Sequence, residues 1–313
     1  MAQAFQTAAG RPLRLALTGS HGLLGSALIS FLATRGGETL RLVRRPARAA
    51  DEVAWDPTGS LPASRLDGLD AVIHLAGENI ANGRWTETRK QAIRESRVTG
   101  TRHLAEAIAA LPHPPPVFLS ASAVGYYGDR GNEELSESAM AGRGFLPDVC
   151  REWEAAAEPA QRAGIRVIRL RFGVILTPVG GALKKMLLPF RLGLGGRIGD
   201  GQQYMSWITL DDVVAAMVFC LHTSTLHGPV NAVATAVTNA EFTRALARVL
   251  RRPALFPVPR FAVRLLFGEM GDALLLASTR AQPSRLLEAG FIFRFPNLEP
   301  ALRHVLGRPE AWT

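Results

Sequence analysis

Short apolar runs and helically spaced apolar positions alternate along the first part of the chain. Residues 13–18 (LRLALT) form an apolar run, and Gly19 ends it. From Leu23 to about Arg35, apolar residues recur at the spacing of a helix face, and the run 39–43 (TLRLV) follows. This order of strand, loop, helix and strand within about 30 residues predicts a βαβ unit.

The alternation continues to residue 172. It predicts strands at 71–75, 117–120 and 165–172, and helices over 86–110 and from about 145 to 163. Because strands that alternate with helices pair in parallel, the predicted fold class is α/β, with a doubly wound parallel sheet of the Rossmann type.

Two stretches depart from this rhythm. Residues 177–207 are rich in glycine and are predicted to form an inserted loop, whereas the chain after Asn239 is predicted to be mainly helical. Between them, a helix over 210–221 and a strand over 229–233 are predicted to return to the sheet. The predicted organisation is a flexible leader over residues 1–11, a Rossmann domain over 12–176 plus about 208–238, and a smaller, mostly helical C-terminal lobe over 177–207 plus 239–313.

The loop after the first strand has the pattern G-x-x-G-x-x-G. In a dinucleotide site the first glycine permits a tight turn, the second lets the backbone approach the pyrophosphate, and the third allows close helix packing. The helix that follows offers free N–H groups to the anion. Because the loop lies between a strand and a helix, it is predicted to bind a dinucleotide. The residues concerned are Gly19, Ser20, His21, Gly22, Leu23, Leu24 and Gly25.

The end of the second strand indicates which dinucleotide is bound. An NAD(H) site places an acidic residue there, whereas arginine accommodates the 2′-phosphate of NADP(H). This chain has Arg44 and Arg45 at that point and no acidic residue before Asp51. Since a guanidinium can bind a phosphate through two hydrogen bonds, the predicted cofactor is NADP(H). The alternative is that both arginines are merely exposed.

Composition narrows the class further. The chain has 313 residues, a net charge of +9 and two cysteines without a metal-ligand spacing. The cysteine spacing gives no reason to expect a metal, and because the arginines are scattered along the chain, no nucleic acid is expected as a partner. No apolar stretch reaches the ~18 residues of a membrane span, so no membrane partner is expected, and a reducing, cytoplasmic location is predicted.

Several motifs resemble the extended short-chain dehydrogenase/reductases. The segments 70–77 (DAVIHLAG) and 120–128 (SASAVGYYG) carry the general resemblance. The atypical branch called the epimerase family, with a C-terminal domain of unknown function, is indicated by 77–80 (GENI), Trp153-Glu154, 187–196 (LLPFRLGLGG), 207–212 (WITLDD) and 283–291 (PSRLLEAGF). The resemblance covers residues 13 to 308. It implies an NADP-binding protein of the oxidoreductase or epimerase type, with an unknown small-molecule substrate.

By the same resemblance, the loop of Leu75, Ala76 and Gly77 borders the nicotinamide ribose, where small residues permit close approach of the backbone. His74 precedes this loop and is predicted to be buried and hydrogen-bonded rather than catalytic. A homodimer is expected by analogy alone.

The catalytic residues of the ordinary reductases are only partly present. Ser122 matches the serine that orients the carbonyl group, but the helix from Phe145 contains neither tyrosine nor lysine. Two substitutes are considered: Tyr126 or Tyr127 as a general acid, and Glu78 as a base if burial raises its pKa. The alternatives are that the tyrosines pack against the sheet and that Glu78 belongs to a turn. Cys150 is predicted to be a core residue.

The glycine-rich insertion supplies candidate residues on the substrate side of the C-terminal lobe: Arg191, Arg197, Gln202 and Trp207. Arginines that face a pocket would suit an acidic or phosphorylated substrate, and the alternative is that they are exposed. Asp212 is predicted to be structural, at the start of a helix.

Three functions therefore compete. We rank an NADPH-dependent oxidoreductase that acts on a small carbonyl compound first, narrowly ahead of a non-enzymatic NADP(H)-dependent binding protein. A sugar-nucleotide epimerase or dehydratase comes third. The missing tyrosine–lysine pair counts against both enzymatic functions.

Overall fold

The strands form one large sheet and two small ones. In the computed structural model, which describes residues 11–59, 61 and 63–308, the strands are β1 (Arg14–Thr18), β2 (Glu38–Val43), β3 (Glu52–Ala54), β4 (Ala71–His74), β5 (Val117–Ala123), β6 (Glu134–Leu135), β7 (Arg166–Phe172), β8 (Val174–Leu176), β9 (Tyr204–Thr209), β10 (Gly228–Ala232), β11 (Thr235–Thr238) and β12 (Arg280–Ala281). The central sheet has seven strands in the order β10-β7-β5-β4-β1-β2-β3, and every pair in it is parallel. The predicted doubly wound Rossmann sheet is therefore confirmed.

Helices cover both faces of this sheet. They are α1 (Leu23–Ala33), α2 (Glu87–Ala109), α3 (Phe145–Ala155), α4 (Glu158–Arg162), α5 (Gly181–Arg191), α6 (Leu210–His222), α7 (Asn239–Leu250), α8 (Arg260–Phe267), α9 (Glu269–Gly271), α10 (Ser284–Glu288) and α11 (Leu298–Val305). None of the helices in the described residues is both long and apolar enough to cross a membrane.

The alternation of side chains along each buried strand divides the core into two layers. In β1, Leu15 and Leu17 belong to the cluster that includes Leu28 of α1, whereas Ala16 belongs to the cluster that includes Leu104 of α2. Successive strand residues point to opposite faces, so an uninterrupted apolar strand needs cover on both sides. This is why the central strands read as apolar runs rather than as alternating patterns.

Several elements differ from the sequence-based prediction. The edge strand β3 was not predicted, because it contributes only Glu52–Ala54 to the sheet. The helix expected from about 145 to 163 is divided into α3 and α4. Pro159, at the start of α4, lacks the N–H group that a continuous helix would need at that point.

The glycine-rich stretch 177–207 is not a simple loop, and that prediction was wrong. It contains α5 and most of β9. Leu183, Leu187 and Phe190 bury one face of α5, whereas glycines lie at its start and beyond its end. Strand β9 pairs with β8 and β11 in a three-stranded sheet, so the C-terminal part of the chain contains small sheets as well as helices.

One hydrophobic cluster joins the two predicted parts of the chain. It contains Leu17 and Leu28 from the Rossmann part together with Leu187 and Leu302 from the predicted lobe. The domain boundaries therefore remain a prediction. Residues 1–10 of the predicted leader lie outside the described residues, but its last residue, Arg11, is held by Asp70 through two hydrogen bonds of 2.7 and 2.8 Å.

Candidate functional site

The glycine loop after β1 lies against the loop after β4 with no room for side chains. A Cβ atom at Gly19 would lie 2.8 Å from the carbonyl carbon of Leu75, and Gly19 also has a left-handed backbone with φ of 71°. A Cβ atom at Gly25 would lie 2.2 Å from the carbonyl oxygen of Gly19. Both glycines are therefore required by the geometry of the turn. The loop forms a cradle that side chains would fill.

The start of α1 faces this cradle without a cap. Gly22 precedes the helix, no side chain caps it, and its first turn contains no acidic residue. The first N–H groups of a helix have no partner within the helix, and their partial positive charge favours an anion. Ser20 is buried beside the exposed His21, with 3.2 Å between the serine oxygen and Nδ1. The predicted pyrophosphate-binding residues thus lie together at the carboxyl end of the sheet.

Thr18 and His74 hold the two loops together. The Thr18 hydroxyl oxygen accepts hydrogen bonds from the amides of Leu75 and Ala76 at 3.1 and 3.2 Å. It lies 2.7 Å from Nδ1 of His74, to which it therefore donates its own proton. Burial lowers the pKa of His74 to about 3, so the ring is neutral. His74 has the buried, hydrogen-bonded position that the sequence predicts.

The two arginines that follow β2 have different surroundings. Arg45 donates hydrogen bonds of 2.8 and 2.7 Å to the buried carboxylate of Glu52. Together with the amide of Arg48, this guanidinium lowers the pKa of Glu52 to about 2. Arg44 is exposed and makes no hydrogen bond or ion pair with any described residue. Of the predicted pair, Arg44 has a guanidinium that is free to bind a ligand, whereas the guanidinium of Arg45 is bound to Glu52 and stabilises the fold.

A buried polar network occupies the end of β5. Ser122 donates a hydrogen bond of 2.7 Å to Oε1 of Glu154, and Arg171 binds both oxygens of the same carboxylate at 2.7 and 2.8 Å. The side chains of Arg171 and Glu154 are 3% and 11% exposed. A buried charge pair of this kind needs all of its hydrogen bonds. The proton of the Ser122 hydroxyl is therefore directed at Glu154 rather than outward.

The two tyrosines after Ser122 differ sharply. Tyr127 is completely buried and donates a hydrogen bond of 2.8 Å to Oδ1 of Asn231, while its oxygen accepts one of 2.9 Å from Arg171. It extends the buried network, and we correct its predicted role from acid to structural residue. Tyr126 is only partly buried, with its ring 3.5 Å from the Arg171 guanidinium carbon. No described residue bonds to its hydroxyl group.

Glu78 does not meet the condition on which its proposed role as a base depended. Its side chain is 34% exposed and forms an ion pair of 3.0 Å with Arg89. The structure therefore does not support this prediction.

Helix α3 carries packing residues at the positions where the ordinary reductases have tyrosine and lysine. Phe145 packs edge-on against Trp85, and the ring nitrogen of Trp153 donates a hydrogen bond of 2.9 Å to the hydroxyl oxygen of Thr101. Burial raises the pKa of Cys150 to about 12, which agrees with its predicted position in the core.

The four predicted substrate-side residues do not form one site. Trp207 is fully buried in the main hydrophobic cluster, and its predicted role was wrong because β9 is paired on both sides. Arg191 lines a surface depression of about 470 Å³ with Arg251, Arg252 and Arg308. Arg197 and Gln202 are exposed on the segment that leads to β9. Asp212 is structural, as predicted: it lies in the first turn of α6 and accepts hydrogen bonds from the amides at 294 and 295.

Glu154, Arg171 and Asn231 were not among the predicted site residues. Arg171 could have been recognised from the sequence, because an arginine inside a strand that is covered on both faces requires a buried partner. Its partner could not be read from the sequence, since Glu154 lies 17 residues earlier on a separate helix.

Two family models match this chain. The NAD dependent epimerase/dehydratase family matches residues 15–234, and a domain of unknown function, DUF1731, matches residues 258–305. The fold and the glycine cradle define a Rossmann-type nucleotide-binding protein, and the chain belongs to the NAD dependent epimerase/dehydratase family. The predicted resemblance is confirmed.

The chain is also similar over nearly its whole length to individual members of the epimerase family. The chain is 44% identical over 297 residues to the epimerase family protein Mb2239 of Mycobacterium bovis, covering 94% of this chain and 98% of that protein. The structure of human epimerase family protein SDR39U1 (isoform 2) with NADPH matches with a TM-score of 0.87 at 35% identity, covering 94% of this chain and 99% of that one. A nucleoside-diphosphate sugar epimerase from Corynebacterium glutamicum matches with a TM-score of 0.81 at 38% identity, covering 96% of this chain and 59% of that one.

Proposed function

We propose that this protein binds NADP(H) and acts as an oxidoreductase on a small carbonyl compound. The observation that carries the proposal is the uncapped start of α1, closed by residues 75–77 and flanked by the free guanidinium of Arg44. The NADPH in the human relative supports the choice of cofactor. When bound, this cofactor supplies the hydride. The cradle would hold its pyrophosphate, and Arg44 its 2′-phosphate.

Tyr126 is the phenol that remains for proton transfer. Tyr127 is buried and bonded, whereas the Tyr126 hydroxyl has no partner among the described residues. The Arg171 guanidinium against its ring would stabilise the negative charge that forms when the phenol gives its proton to the carbonyl oxygen. Arg171 would then do what lysine does in the ordinary reductases.

The hydrogen bond from Ser122 to Glu154 determines how Ser122 can contact a substrate. Since its proton is donated to Glu154, the serine oxygen can only accept a hydrogen bond from a substrate. That arrangement suits the hydroxyl group of an alcohol, which is the reduced form of a carbonyl substrate. Ser122 would therefore orient the alcohol, and Tyr126 would exchange the proton.

A panel of small aldehydes and ketones tests this function. We expect substrate-dependent loss of NADPH absorbance, and Tyr126→Phe to lower kcat by about 10²- to 10⁴-fold. Tyr204→Phe is the matched control, because Tyr204 also lies beneath an arginine, Arg280, but outside this network. The control variant should retain parental kcat.

Two other results would contradict the proposal. Tight NADPH binding without turnover on any substrate would favour a non-enzymatic binding protein. Cofactor retained through purification, with turnover of a sugar nucleotide and no net NADPH consumption, would favour an epimerase or dehydratase. A cytoplasmic location and a homodimer stay predictions from the sequence and do not enter this test.

A further inference from the structure

Two segments of the chain hold its whole excess of positive charge. Residues 181–199 contain four lysines and arginines, and residues 242–268 contain six arginines, with no aspartate or glutamate in either. The complete chain has 36 cationic and 27 acidic residues, so the remainder has 26 against 27. Along the sequence, the positive charge is therefore concentrated in these two segments rather than scattered. Three of their arginines form ion pairs with acids outside the segments: Arg248 with Glu299, Arg260 with Asp200 and Arg264 with Asp272.

These two segments lie side by side. Ile198 and Val258 form a parallel bridge, and the amide of Val258 donates a hydrogen bond of 2.8 Å to the carbonyl oxygen of Arg197. Gly196 packs so closely that a Cβ atom there would lie 1.9 Å from the carbonyl oxygen of Phe256. Arg191 of the first segment also lines one surface depression with Arg251 and Arg252 of the second, so cations of both segments lie together there.

The same segments expose large apolar side chains. Six of them, which we call the apolar face, are 58% to 76% exposed: Leu192, Leu194, Leu255, Phe256, Phe261 and Leu265. Helix α8 shows the pattern clearly, because Val263 is its only buried residue. Soluble surfaces rarely expose adjoining apolar side chains of this size without a binding function.

We propose that the apolar face binds a lipid bilayer that contains anionic lipids. Aromatic and leucine side chains flanked by arginine are the composition of interfacial membrane helices, with the cations attracted to acidic headgroups. A second copy of this chain would bring two cationic surfaces together, which disfavours it as the occupant.

This proposal departs from the sequence-based expectation that no membrane is a partner. That expectation depended on the lack of an apolar run long enough to span a bilayer, and the described helices contain none that could span one. Binding at the interface requires only an apolar face and a favourable charge, not a spanning segment.

Vesicle sedimentation tests the proposal with the full chain. We expect binding to vesicles of phosphatidylcholine with about one third phosphatidylserine, weak binding to phosphatidylcholine alone, and loss of binding as salt rises. The double variant Phe261→Ser, Leu265→Ser should lower the partition coefficient at least about tenfold. Ile292→Ser is the matched control, because Ile292 is 87% exposed but lies outside both segments.

Folding of each variant is checked by its thermal transition and its NADPH affinity, which exposed substitutions should leave unchanged. Equal binding to both kinds of vesicle, no binding to either, or an unaffected double variant would overturn the proposal. So would concentration-dependent self-association that the double variant abolishes, since the face would then belong to a second copy. Salt-sensitive binding of an acidic amphipathic peptide without vesicle binding would assign it to a protein partner.

Discussion

At the start of α1 backbone donors stand without a cap, whereas at the end of β5 the side chains of Ser122, Glu154 and Arg171 are already bonded to one another. Both regions lie at the carboxyl edge of the same parallel sheet, where ligands bind in folds of this class. The first region is incomplete without an anion. The second is complete by itself, apart from the hydroxyl group of Tyr126.

This difference separates what binds the cofactor from what acts on a substrate. Glycines and free amides suit a pyrophosphate, because they leave space and donors for it. A buried ion pair suits a fixed position, because moving either partner exposes an uncompensated charge. We infer that the protein keeps the binding half of the dehydrogenase/reductase arrangement, and that its proton chemistry depends on the single phenol of Tyr126.

The largest effect is expected from removing one partner of the buried ion pair. Arg171→Met leaves the Glu154 carboxylate 11% exposed without its cation, and should lower the free energy of unfolding by about 3 to 5 kcal/mol. Urea unfolding measures this. The double variant Arg171→Met, Glu154→Leu should lose less than the single variant. Arg248→Met, which breaks an ion pair with 60% exposed arginine, should change the stability by less than about 1 kcal/mol.

That comparison can also fail in a defined way. If Arg171→Met and Arg248→Met destabilise the protein equally, the network at the end of β5 is not a fixed structural unit. The contrast between the two regions would then be lost.

The next largest effect is expected at the glycine cradle before α1. Gly25→Ala places a Cβ atom 2.2 Å from the carbonyl oxygen of Gly19 and should weaken NADPH binding by about 100-fold, or about 2.8 kcal/mol. Calorimetry measures the affinity. Gly100→Ala is the matched control, since this helix glycine has no heavy atom closer than 3.5 Å to the added Cβ. Equal affinity of the Gly25 variant and the parent would show that the cradle does not hold the cofactor.

The sequence predicts most of the central sheet because its strands are apolar on both faces. Runs such as AVIH in β4 have few alternatives to a buried parallel strand. Short or mixed elements were harder to predict. Strand β3 has three residues, and the glycines around α5 resemble those of a loop although the helix buries Leu183 and Leu187.

The cofactor site could be predicted for a related reason. Its requirements are local, since Gly19, Gly22 and Gly25 lie in one short loop, and their spacing is enough to predict the geometry of that loop. The network around Arg171 joins residues as far apart as Ser122 and Asn231, through pairings that only the tertiary fold brings together. Trp207 was misassigned for the same reason, because its burial depends on partners distant in sequence.

The pH dependence of stability tests the burial of His74, which lies between the two regions. His74 lies on β4 between them, with its pKa lowered by burial from 6.5 to about 3. The unfolded chain therefore binds a proton below pH 6.5 that the folded protein excludes, so stability falls as the pH falls. The expected slope approaches about 1.4 kcal/mol per pH unit below pH 6.5, and the loss between pH 6.5 and 5 is about 1.6 kcal/mol.

His74→Asn isolates this contribution, because the asparagine oxygen can still accept the proton of Thr18. Its unfolding free energy should vary less with pH than that of the parent over the same interval. His222, whose pKa burial also lowers, contributes to the slope of both proteins and so cancels in the comparison. Identical slopes in parent and variant would place the His74 ring in solvent rather than in the core.

The smallest effect distinguishes the two neighbouring arginines. Arg44→Ala should raise the Kd for NADPH about tenfold, or about 1.4 kcal/mol, and leave the Kd for NADH nearly unchanged, because only NADPH carries the 2′-phosphate. Arg45→Ala should act in the opposite way: it removes two hydrogen bonds from the buried Glu52 and so lowers stability more than cofactor discrimination. Calorimetric titration with both nucleotides and urea unfolding of both variants measure the two quantities. Equal affinities of the parent protein for NADPH and NADH would show that the site does not recognise the 2′-phosphate. Equal changes of stability and of Kd in the two variants would show that the free guanidinium of Arg44 and the ion-paired guanidinium of Arg45 do not differ in role.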